Sequence, residues 1–377
     1  MKQLPARQTG VQTALKWNGL NCSINTMKAN TQGSNMRSIV IHGAKDLRIE
    51  SAEPEELAAD GVRIRLATGG ICGSDLHYYN HGGFGQVRLR EPMILGHEVA
   101  GYVEQLGADI DGLTEGDLVA VSPSRPCAQC DYCQKGLHNH CLNMRFYGSA
   151  MPFPHIQGAF RQDLVVNAKQ CVSAEGLSAG EAAMAEPLAV ALHAINRAGP
   201  LLGKSVLITG CGPIGLLTAM AARVAGAARI VITDISDQAL HHATAAGFTE
   251  TINTATKRDN FQLLTSGKGT MDCVIECSGA PAAVDDAMRA ARPRAVMVQL
   301  GLGGDMPIPL LQLTSKELEL RGSFRFHEEF AIAIALMKQG RIDVKPLISH
   351  TLTLAQAVDA FELASDRSAA MKVQIEF

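Results

Sequence analysis

The chain has 377 residues, more than one hydrophobic core usually serves, so two domains are expected. Its formal net charge of −3 excludes the basic field that holds nucleic acid, and no nucleic-acid partner is expected. Apolar runs of membrane-span or signal-peptide length are missing, which predicts a cytoplasmic protein without a membrane partner. In that compartment thiols stay reduced, so the ten cysteines predict metal ligation or core packing.

Residues 1–35 differ in composition from the rest of the chain. They are rich in Gln, Asn, Thr and Gly, and they carry basic residues but no acidic one. This composition predicts a disordered tail or an upstream start, with the folded part opening at Met36. A targeting segment is the alternative, although the Arg-rich amphipathic pattern of such segments is missing.

Residues 36–188 have the pattern of a β-rich domain. Short apolar runs alternate with Gly, Pro and Asp, and such runs are typical of strands. The clearest predicted strands are Ser38–Ile41, Gly61–Thr68, Val99–Leu106 and Leu118–Val121.

Residues 189–329 alternate strands with helices, which predicts a doubly wound parallel sheet with crossover helices. The predicted strands are Ser205–Thr209, Arg229–Thr233, Cys273–Glu276 and Ala295–Leu300. The predicted helices are Leu216–Ala225, Asp237–Ala246 and Ala282–Ala291.

Residues 330–377 are expected to pack back on the first domain and complete it. They contain two helical stretches and a closing strand, Phe330–Gln339, Leu354–Ala364 and Lys372–Phe377.

A glycine motif, Gly210-Cys211-Gly212-Pro213-Ile214-Gly215, lies between the first strand of this alternating half and an apolar helix. Gly210 permits a tight turn, Gly212 admits a pyrophosphate to the backbone, and Gly215 lets helix and strand approach. The following helix N-terminus adds partial positive charge. The alternative is a glycine loop that serves packing alone. Context favours a dinucleotide site, and Pro213 and Ile214 are expected to bind the cofactor together with the three glycines.

Asp234 ends the next predicted strand, about twenty residues beyond the motif, where a carboxylate accepts hydrogen bonds from ribose hydroxyls. No Arg or Lys follows it in 235–237 to bind a 2′-phosphate. NAD is therefore the expected cofactor, with NADP still possible.

Four cysteines occur within fifteen residues of a polar loop, in the pattern C-x2-C-x2-C-x7-C: Cys127, Cys130, Cys133 and Cys141. Four thiolates at this spacing surround one tetrahedral zinc and leave no position for substrate, so a structural site is predicted. Free thiols and an iron–sulfur cluster are the alternatives. Nothing else in the chain indicates electron transfer.

A second set is dispersed along the chain: Cys72, His97, Glu98 and Glu186. Each alone is compatible with a core residue or an ordinary carboxylate. Together they supply the Cys, His and carboxylate of a zinc site that keeps one position open for an alcohol oxygen. Two zinc ions per chain are therefore expected.

These motifs resemble the zinc-containing medium-chain dehydrogenases of the sorbitol dehydrogenase branch, over Met36 to Phe377. The resemblance implies a GroES-like catalytic domain beside a Rossmann nucleotide-binding domain, with the active site in the cleft between them. It implies that Cys72, His97 and either Glu98 or Glu186 hold the catalytic zinc. It further implies a homodimer or homotetramer.

A proton route to solvent is expected near the catalytic zinc. A Ser74 hydroxyl that both accepts and donates, followed by His77 near its titration range, makes a relay. Ser74 as a simple helix cap is the alternative.

The substrate is expected to be a small sugar acid, because the segments 69–79, 144–151 and 320–326 resemble the acid-oxidising members of the branch. Arg145 and Arg325 lie in two of these segments, and guanidinium suits bidentate carboxylate recognition. Tyr78 is expected to bind substrate hydroxyls. Solvated arginines and a packed tyrosine are the alternatives. Two rival functions remain: a sorbitol- or xylitol-type polyol dehydrogenase, and a non-catalytic nucleotide-binding protein with one zinc.

Overall fold

The computed structural model describes residues 36–377, and the prediction for residues 1–35 lies outside this range. Within the described residues the strands before residue 175 are β1 (Met36–Gly43), β2 (Asp46–Ala52), β3 (Gly61–Gly70), β4 (Gly83–Phe84), β5 (Val87–Arg88), β6 (Met93–Ile94), β7 (Glu98–Leu106), β8 (Leu118–Val121), β9 (Ser124–Arg125), β10 (Arg145–Phe146), β11 (Asp163–Asn167) and β12 (Cys171–Ser173). The later strands are β13 (Ser205–Thr209), β14 (Arg229–Asp234), β15 (Thr251–Asn253), β16 (Met271–Glu276), β17 (Ala291–Gln299), β18 (Glu319–Gly322), β19 (Ile348–Thr353) and β20 (Lys372–Glu376).

Helices follow the strands mainly in the second half. They are α1 (Gly73–His81), α2 (Asp131–Gln134), α3 (Ala179–Ala183), α4 (Ala185–Ala198), α5 (Pro213–Val224), α6 (Asp237–Ala245), α7 (Arg258–Gln262), α8 (Pro281–Ala290), α9 (Leu310–Ser315), α10 (Glu329–Lys338) and α11 (Ala357–Ser365). One short 3-10 helix, His138–His140, lies in the cysteine-rich loop.

The β-rich half is built around a seven-stranded sheet in the order β12-β8-β7-β3-β20-β19, with β11 also paired to β3. Strand β3 alternates buried and partly exposed residues, as expected for a sheet with one face on a core. The last strand, β20, pairs antiparallel with β3, so the end of the chain lies beside the strand that leads to Cys72.

The second half contains a six-stranded sheet in the order β15-β14-β13-β16-β17-β18, and all of its pairings are parallel. This is the 3-2-1-4-5-6 order of the Rossmann fold, which places ligands at the carboxyl ends of the strands. The predicted fold class, a GroES-like β-rich domain plus a Rossmann domain, is confirmed.

Helices α4, α5 and α10 share one core with strands of the parallel sheet. Helix α10 contributes Phe330, Ala333, Ile334 and Met337 to it, and the chain returns to the first sheet only at β19. The domain boundaries predicted at residues 188 and 329 stay predictions.

Candidate active site

Cys72 lies directly after β3, at the N-terminal cap of helix α1. His97 and Glu98 lie at the start of β7, the neighbour of β3 in the sheet. The Cys72 thiol, a His97 ring nitrogen and a Glu98 carboxylate oxygen lie within 4.8 Å of one another. Two segments twenty-five residues apart in the chain thus form one cluster of metal-binding groups. They meet because β3 and β7 are antiparallel neighbours, so the end of β3 lies beside the start of β7.

This cluster fits a zinc ion on its chemistry. Burial, with the nearby Glu98 charge, raises the pKa of the Cys72 thiol to about 12. A thiolate at this position therefore needs a cation beside it, and a coordinating metal deprotonates a thiol outright. A thiol, an imidazole and a carboxylate are the donors of catalytic zinc sites with an open position.

Asp75 orients two of these groups, and the sequence reasoning gave it no role. Its Oδ2 accepts a hydrogen bond from the Cys72 backbone N–H at 3.0 Å, and its Oδ1 accepts one from the Gly96 N–H at 3.1 Å. The same Oδ1 lies 3.6 Å from Nδ1 of His97. This separation is longer than a hydrogen bond, so Asp75 holds the His97 segment through the Gly96 N–H and lies beside the His97 ring nitrogen without bonding to it.

Lys372 is a second residue that the sequence reasoning missed. Its Nζ donates to both carboxylate oxygens of Glu98, at 2.9 and 2.6 Å, and both side chains are buried. It also donates to the backbone carbonyl of Ile71 at 3.1 Å, next to Cys72. The Glu98 carboxylate is therefore already neutralised by a cation from the end of the chain.

Glu186 lies in the first turn of α4, near the cluster. Its carboxylate is not among the atoms of Cys72, His97 and Glu98 that lie within 4.8 Å of one another. Burial raises its pKa well above the usual value; His97 opposes this and Glu98 acts in the same direction. The structure therefore brings Glu186 next to the site, on the side that belongs to the nucleotide-binding half.

Ser74 and His77 both lie on α1 beside the cluster. The Ser74 hydroxyl is 3.5 Å from Nε2 of His97. The His77 ring packs against Phe84 with ring centroids 5.8 Å apart, and burial lowers its pKa. No hydrogen bond joins Ser74 directly to His77 in the described part of the chain.

Tyr78 and Arg325 both lie near the cluster and close enough to each other to interact electrostatically. The Tyr78 side chain is buried, and its hydroxyl accepts a hydrogen bond from the Ala150 N–H at 3.0 Å. The Arg325 guanidinium lies over the Phe146 ring at 4.3 Å, and that ring contacts His97 with centroids 5.6 Å apart. Burial lowers the pKa of Arg325, while Glu186 and Tyr78 raise it.

Arg145 does not join this group. It precedes Phe146 in β10, and successive side chains of a strand point to opposite faces. Phe146 faces His97, whereas Arg145 lines a separate cavity of about 270 Å³ together with Arg125 and Arg161. The expectation that Arg145 binds substrate therefore has no support from its position.

The four loop cysteines lie together, with their sulfur atoms within 4.8 Å of one another. Backbone N–H groups already point at these sulfurs: Cys127 N–H donates to Cys141 Sγ at 3.2 Å, and Leu142 N–H donates to Cys130 Sγ at 3.5 Å. A hydrogen bond from the Gln129 backbone lowers the pKa of Cys127 to about 6, whereas burial raises the pKa of Cys133 to about 12, so Cys133 becomes a thiolate only with a cation beside it. Preformed N–H···S contacts favour thiolates, so this cluster fits a closed zinc site.

The glycine motif forms the turn between β13 and α5. Gly210 has φ +86°, which favours glycine, and a Cβ on Gly215 would lie 1.8 Å from the Gly210 carbonyl oxygen. Asp234 ends β14, and its carboxylate accepts from the Cys211 N–H at 2.6 Å and the Ser236 N–H at 2.8 Å. The turn, the open helix N-terminus and the carboxylate together fit a dinucleotide.

Comparisons with known proteins agree with this geometry. Residues 58–176 match the alcohol dehydrogenase GroES-like domain, and residues 213–339 match the zinc-binding dehydrogenase domain. The chain is 40% identical to L-idonate 5-dehydrogenase (NAD(P)(+)) of Escherichia coli over 90% of its own length and 98% of that protein.

The chain belongs to the zinc-binding alcohol dehydrogenase family.

Two further relatives lie in the same family. Human sorbitol dehydrogenase is 34% identical over 87% of this chain and 92% of that protein. The crystal structure of the E. coli L-idonate 5-dehydrogenase superposes with a TM-score of 0.87 at 40% identity, covering 91% of this chain and 98% of that chain. The resemblance to the sorbitol dehydrogenase branch is thus confirmed.

As a member of this family, the chain is an oxidoreductase with zinc and a nicotinamide dinucleotide as cofactors. Its substrates are small molecules, and the non-catalytic alternative is wrong. Among the described residues, no helix is long and apolar enough to cross a membrane.

Proposed function

We propose that this dehydrogenase oxidises a secondary hydroxyl of a sugar acid, with L-idonate as substrate and 5-keto-D-gluconate as product, and that it also catalyses the reverse reduction. The observation that carries this proposal is the position of Arg325. Within residues 36–377 no carboxylate forms an ion pair with its guanidinium, although the residue is partly buried and Glu186 is close enough to raise its pKa. A partly buried cation without an anionic partner is suited to a ligand that brings one.

The surroundings of Arg325 favour a carboxylate as that anion. The guanidinium lies over the rings of Phe146 and Phe324, at 4.3 and 4.9 Å. Within the described part of the chain, Nη2 has only a weak acceptor, the Met151 sulfur at 3.5 Å, so the edge N–H groups can still bind the two oxygens of a carboxylate. L-Idonate carries such a group and sorbitol does not. The name of the E. coli relative, L-idonate 5-dehydrogenase, supports the same substrate.

In the proposed mechanism, Cys72, His97 and a carboxylate of Glu98 or Glu186 would hold a zinc ion, which would supply the Lewis acid that lowers the pKa of the substrate hydroxyl. The Ser74 hydroxyl, 3.5 Å from His97 Nε2, would accept the substrate proton while releasing its own toward His77. A water molecule must bridge this transfer, because Ser74 and His77 are not hydrogen-bonded to each other in the described residues. A bound nicotinamide dinucleotide would supply the acceptor for the hydride that the substrate carbon loses. Tyr78 retains its own hydroxyl proton for donation to a substrate oxygen, since its oxygen accepts from Ala150.

We propose NAD as the preferred dinucleotide. The Asp234 carboxylate stands at the end of β14, where the ribose of a bound dinucleotide is expected, and a 2′-phosphate beside it would be repelled. Gly210, Gly212 and Gly215 bring the backbone to the pyrophosphate, and Pro213 and Ile214 begin helix α5 beneath it.

We propose that the loop cluster Cys127, Cys130, Cys133 and Cys141 holds the second zinc in a closed, structural site. Thiolate ligands require a reducing compartment, which supports a cytoplasmic location.

A homodimer or homotetramer is also proposed. Strand β18 is an edge of the parallel sheet within the described residues, and exposed leucines at 302, 310 and 311 precede it. An unpaired edge next to apolar surface favours pairing with a second copy. Leu311→Asp should reduce the mass found by sedimentation equilibrium, and an unchanged mass would count against this surface.

A polyol dehydrogenase is the second candidate, favoured by the 34% identity to human sorbitol dehydrogenase. The Arg325 N–H groups also suit polyol hydroxyls. Steady-state kcat/KM values with NAD and L-idonate, D-gluconate, sorbitol and xylitol separate the candidates. A clear preference for L-idonate supports the proposal, whereas faster turnover of sorbitol or xylitol would replace it with the polyol function.

A further inference from the structure

Arg325 has a backbone conformation that its neighbours must maintain. Its φ of +54° lies in the left-handed region, which a residue with a side chain rarely adopts. Such a conformation is unfavourable and persists only where the surroundings fix it. The residues that fix it therefore also determine where the guanidinium lies.

The first of these contacts is made by the 3-10 turn His138–His140, which directly precedes the fourth cysteine of the loop cluster. The Asn139 side chain is buried, and its Nδ2 donates to the backbone carbonyl of Phe324 at 3.0 Å. Phe324 is the residue before Arg325. The hydrogen bond thus fixes the peptide group that leads into the left-handed residue.

Two ring contacts reinforce this attachment. The His140 ring stacks on Phe324, with centroids 6.0 Å apart and planes at 28°. The His138 ring stacks on His327, with centroids 4.0 Å apart and planes at 25°. The turn therefore contacts residues on both sides of Arg325.

The other end of the segment is attached to helix α4 through Glu329. One carboxylate oxygen of Glu329 accepts from the His327 N–H at 3.0 Å. The other is 2.9 Å from His193 Nδ1 and accepts from Asn196 Nδ2 at 2.8 Å. Glu329 thus fixes the chain after Arg325. The backbone position of Arg325 then depends on the hydrogen bond that holds the Phe324 carbonyl before it.

We infer that Asn139 is a positioning residue for Arg325, holding its guanidinium where the substrate carboxylate binds. The inference rests on the proposed function, since it assumes that Arg325 binds that carboxylate. It makes acid selectivity depend on a turn of the cysteine loop that itself does not touch the substrate. Loss of the hydrogen bond frees the Phe324 peptide, and the guanidinium then loses its fixed place over Phe146.

The test compares kcat/KM for L-idonate and sorbitol in Asn139→Leu, which matches the size of the side chain but cannot donate, and in Asn139→Gln, which can. Loss of one such hydrogen bond predicts about a tenfold fall for L-idonate in Asn139→Leu, chiefly through KM. Sorbitol should change by less than about twofold, and Asn139→Gln should recover part of the loss. Zinc per chain and melting temperature are measured on each variant.

Asn167→Leu is the matched control, because Asn167 also makes a side-chain-to-backbone hydrogen bond, to the Lys169 N–H at 3.1 Å, away from Arg325. It should leave the ratio of the two substrates unchanged. Should Asn139→Leu not fold, Asn139→Ser, which is too short to reach Phe324, supports the same comparison.

A double variant, Asn139→Leu with Arg325→Met, completes the design. If Asn139 acts through Arg325, the double variant loses no more L-idonate activity than Arg325→Met alone. Two results would overturn the inference while leaving the proposed function standing. One is a double variant whose loss of L-idonate activity equals the product of the two single losses. The other is an equal loss for both substrates in Asn139→Leu. Equal losses for both substrates in Arg325→Met would instead overturn the carboxylate role, and the inference with it.

Discussion

Lys372, five residues from the end of the chain, forms a buried ion pair with Glu98 beside the catalytic cluster, with Nζ 2.6 Å from Oε2. Removing one partner of a buried pair leaves an uncompensated charge and costs about 3–5 kcal/mol. Lys372→Met should therefore lower the melting temperature sharply. Adding Glu98→Gln should restore much of it, because the orphaned charge is then removed. An unchanged melting temperature in Lys372→Met would show that Glu98 does not depend on this cation.

Measuring the zinc content of variants should distinguish the two metal clusters. Wild-type protein should contain two zinc ions per chain. Cys72→Ser should lose one of them and turnover, with the fold retained, since only the open site is affected. Retained turnover with normal zinc content in this variant would contradict the catalytic assignment.

The four-cysteine cluster of the loop should instead contribute to the stability of the fold. Cys130→Ser should lower the melting temperature and lose the other zinc, because structural zinc contributes directly to the free energy of folding. Cys171→Ser, a thiol outside both clusters, is the control and should keep both metals. Equal melting of Cys130→Ser and wild type would count against a four-thiolate zinc site.

Cofactor preference should respond to Asp234. Asp234→Ser removes the ribose acceptor and the negative charge, so kcat/KM should fall with NAD and the NADP to NAD ratio should rise. Asp237→Ser, a carboxylate three residues on in α6, is a matched control. An NADP to NAD ratio of kcat/KM that is unchanged in Asp234→Ser would show that the ribose binds away from Asp234.

Acid stability should depend on Glu329. Burial would raise its pKa, but hydrogen bonds from His193, the His327 N–H and Asn196 outweigh burial and hold the pKa at about 2. A lowered folded-state pKa gives stability that is complete above the ordinary value of 4.5 and is lost as pH falls toward 2. The difference in melting temperature between wild type and Glu329→Gln should therefore be constant above pH 4.5 and narrow below it. Glu328→Gln, an exposed neighbour, should show no such trend.

The sequence predicted the parts of the site that depend on local spacing. The loop cysteines and the glycine motif each lie within fifteen residues, so their geometry follows from the chain itself. Cys72 and His97 were predicted as a pair through their residue types and the family resemblance.

The rest depends on contacts between distant segments. Lys372 reaches Glu98 only because β20 pairs with β3, a register that no local pattern reveals. Asp75 was visible three residues after Cys72, where a capping carboxylate was a usable signal, but its contact with His97 needs the neighbouring strand. Whether Arg145 faces the site was not predictable from its sequence, because β10 has only two residues, too few for alternation to show which side chain points where.

The most direct test of the proposed function is the ratio of kcat/KM for L-idonate to that for sorbitol in Arg325→Met. A charge-assisted hydrogen bond to the substrate carboxylate is worth roughly 1.5–3 kcal/mol, so the ratio should fall about tenfold to a hundredfold. Arg145→Met, which changes an arginine in the separate cavity, should leave the ratio near the wild-type value. Equal losses for L-idonate and sorbitol in Arg325→Met would contradict the account and indicate a general polyol dehydrogenase.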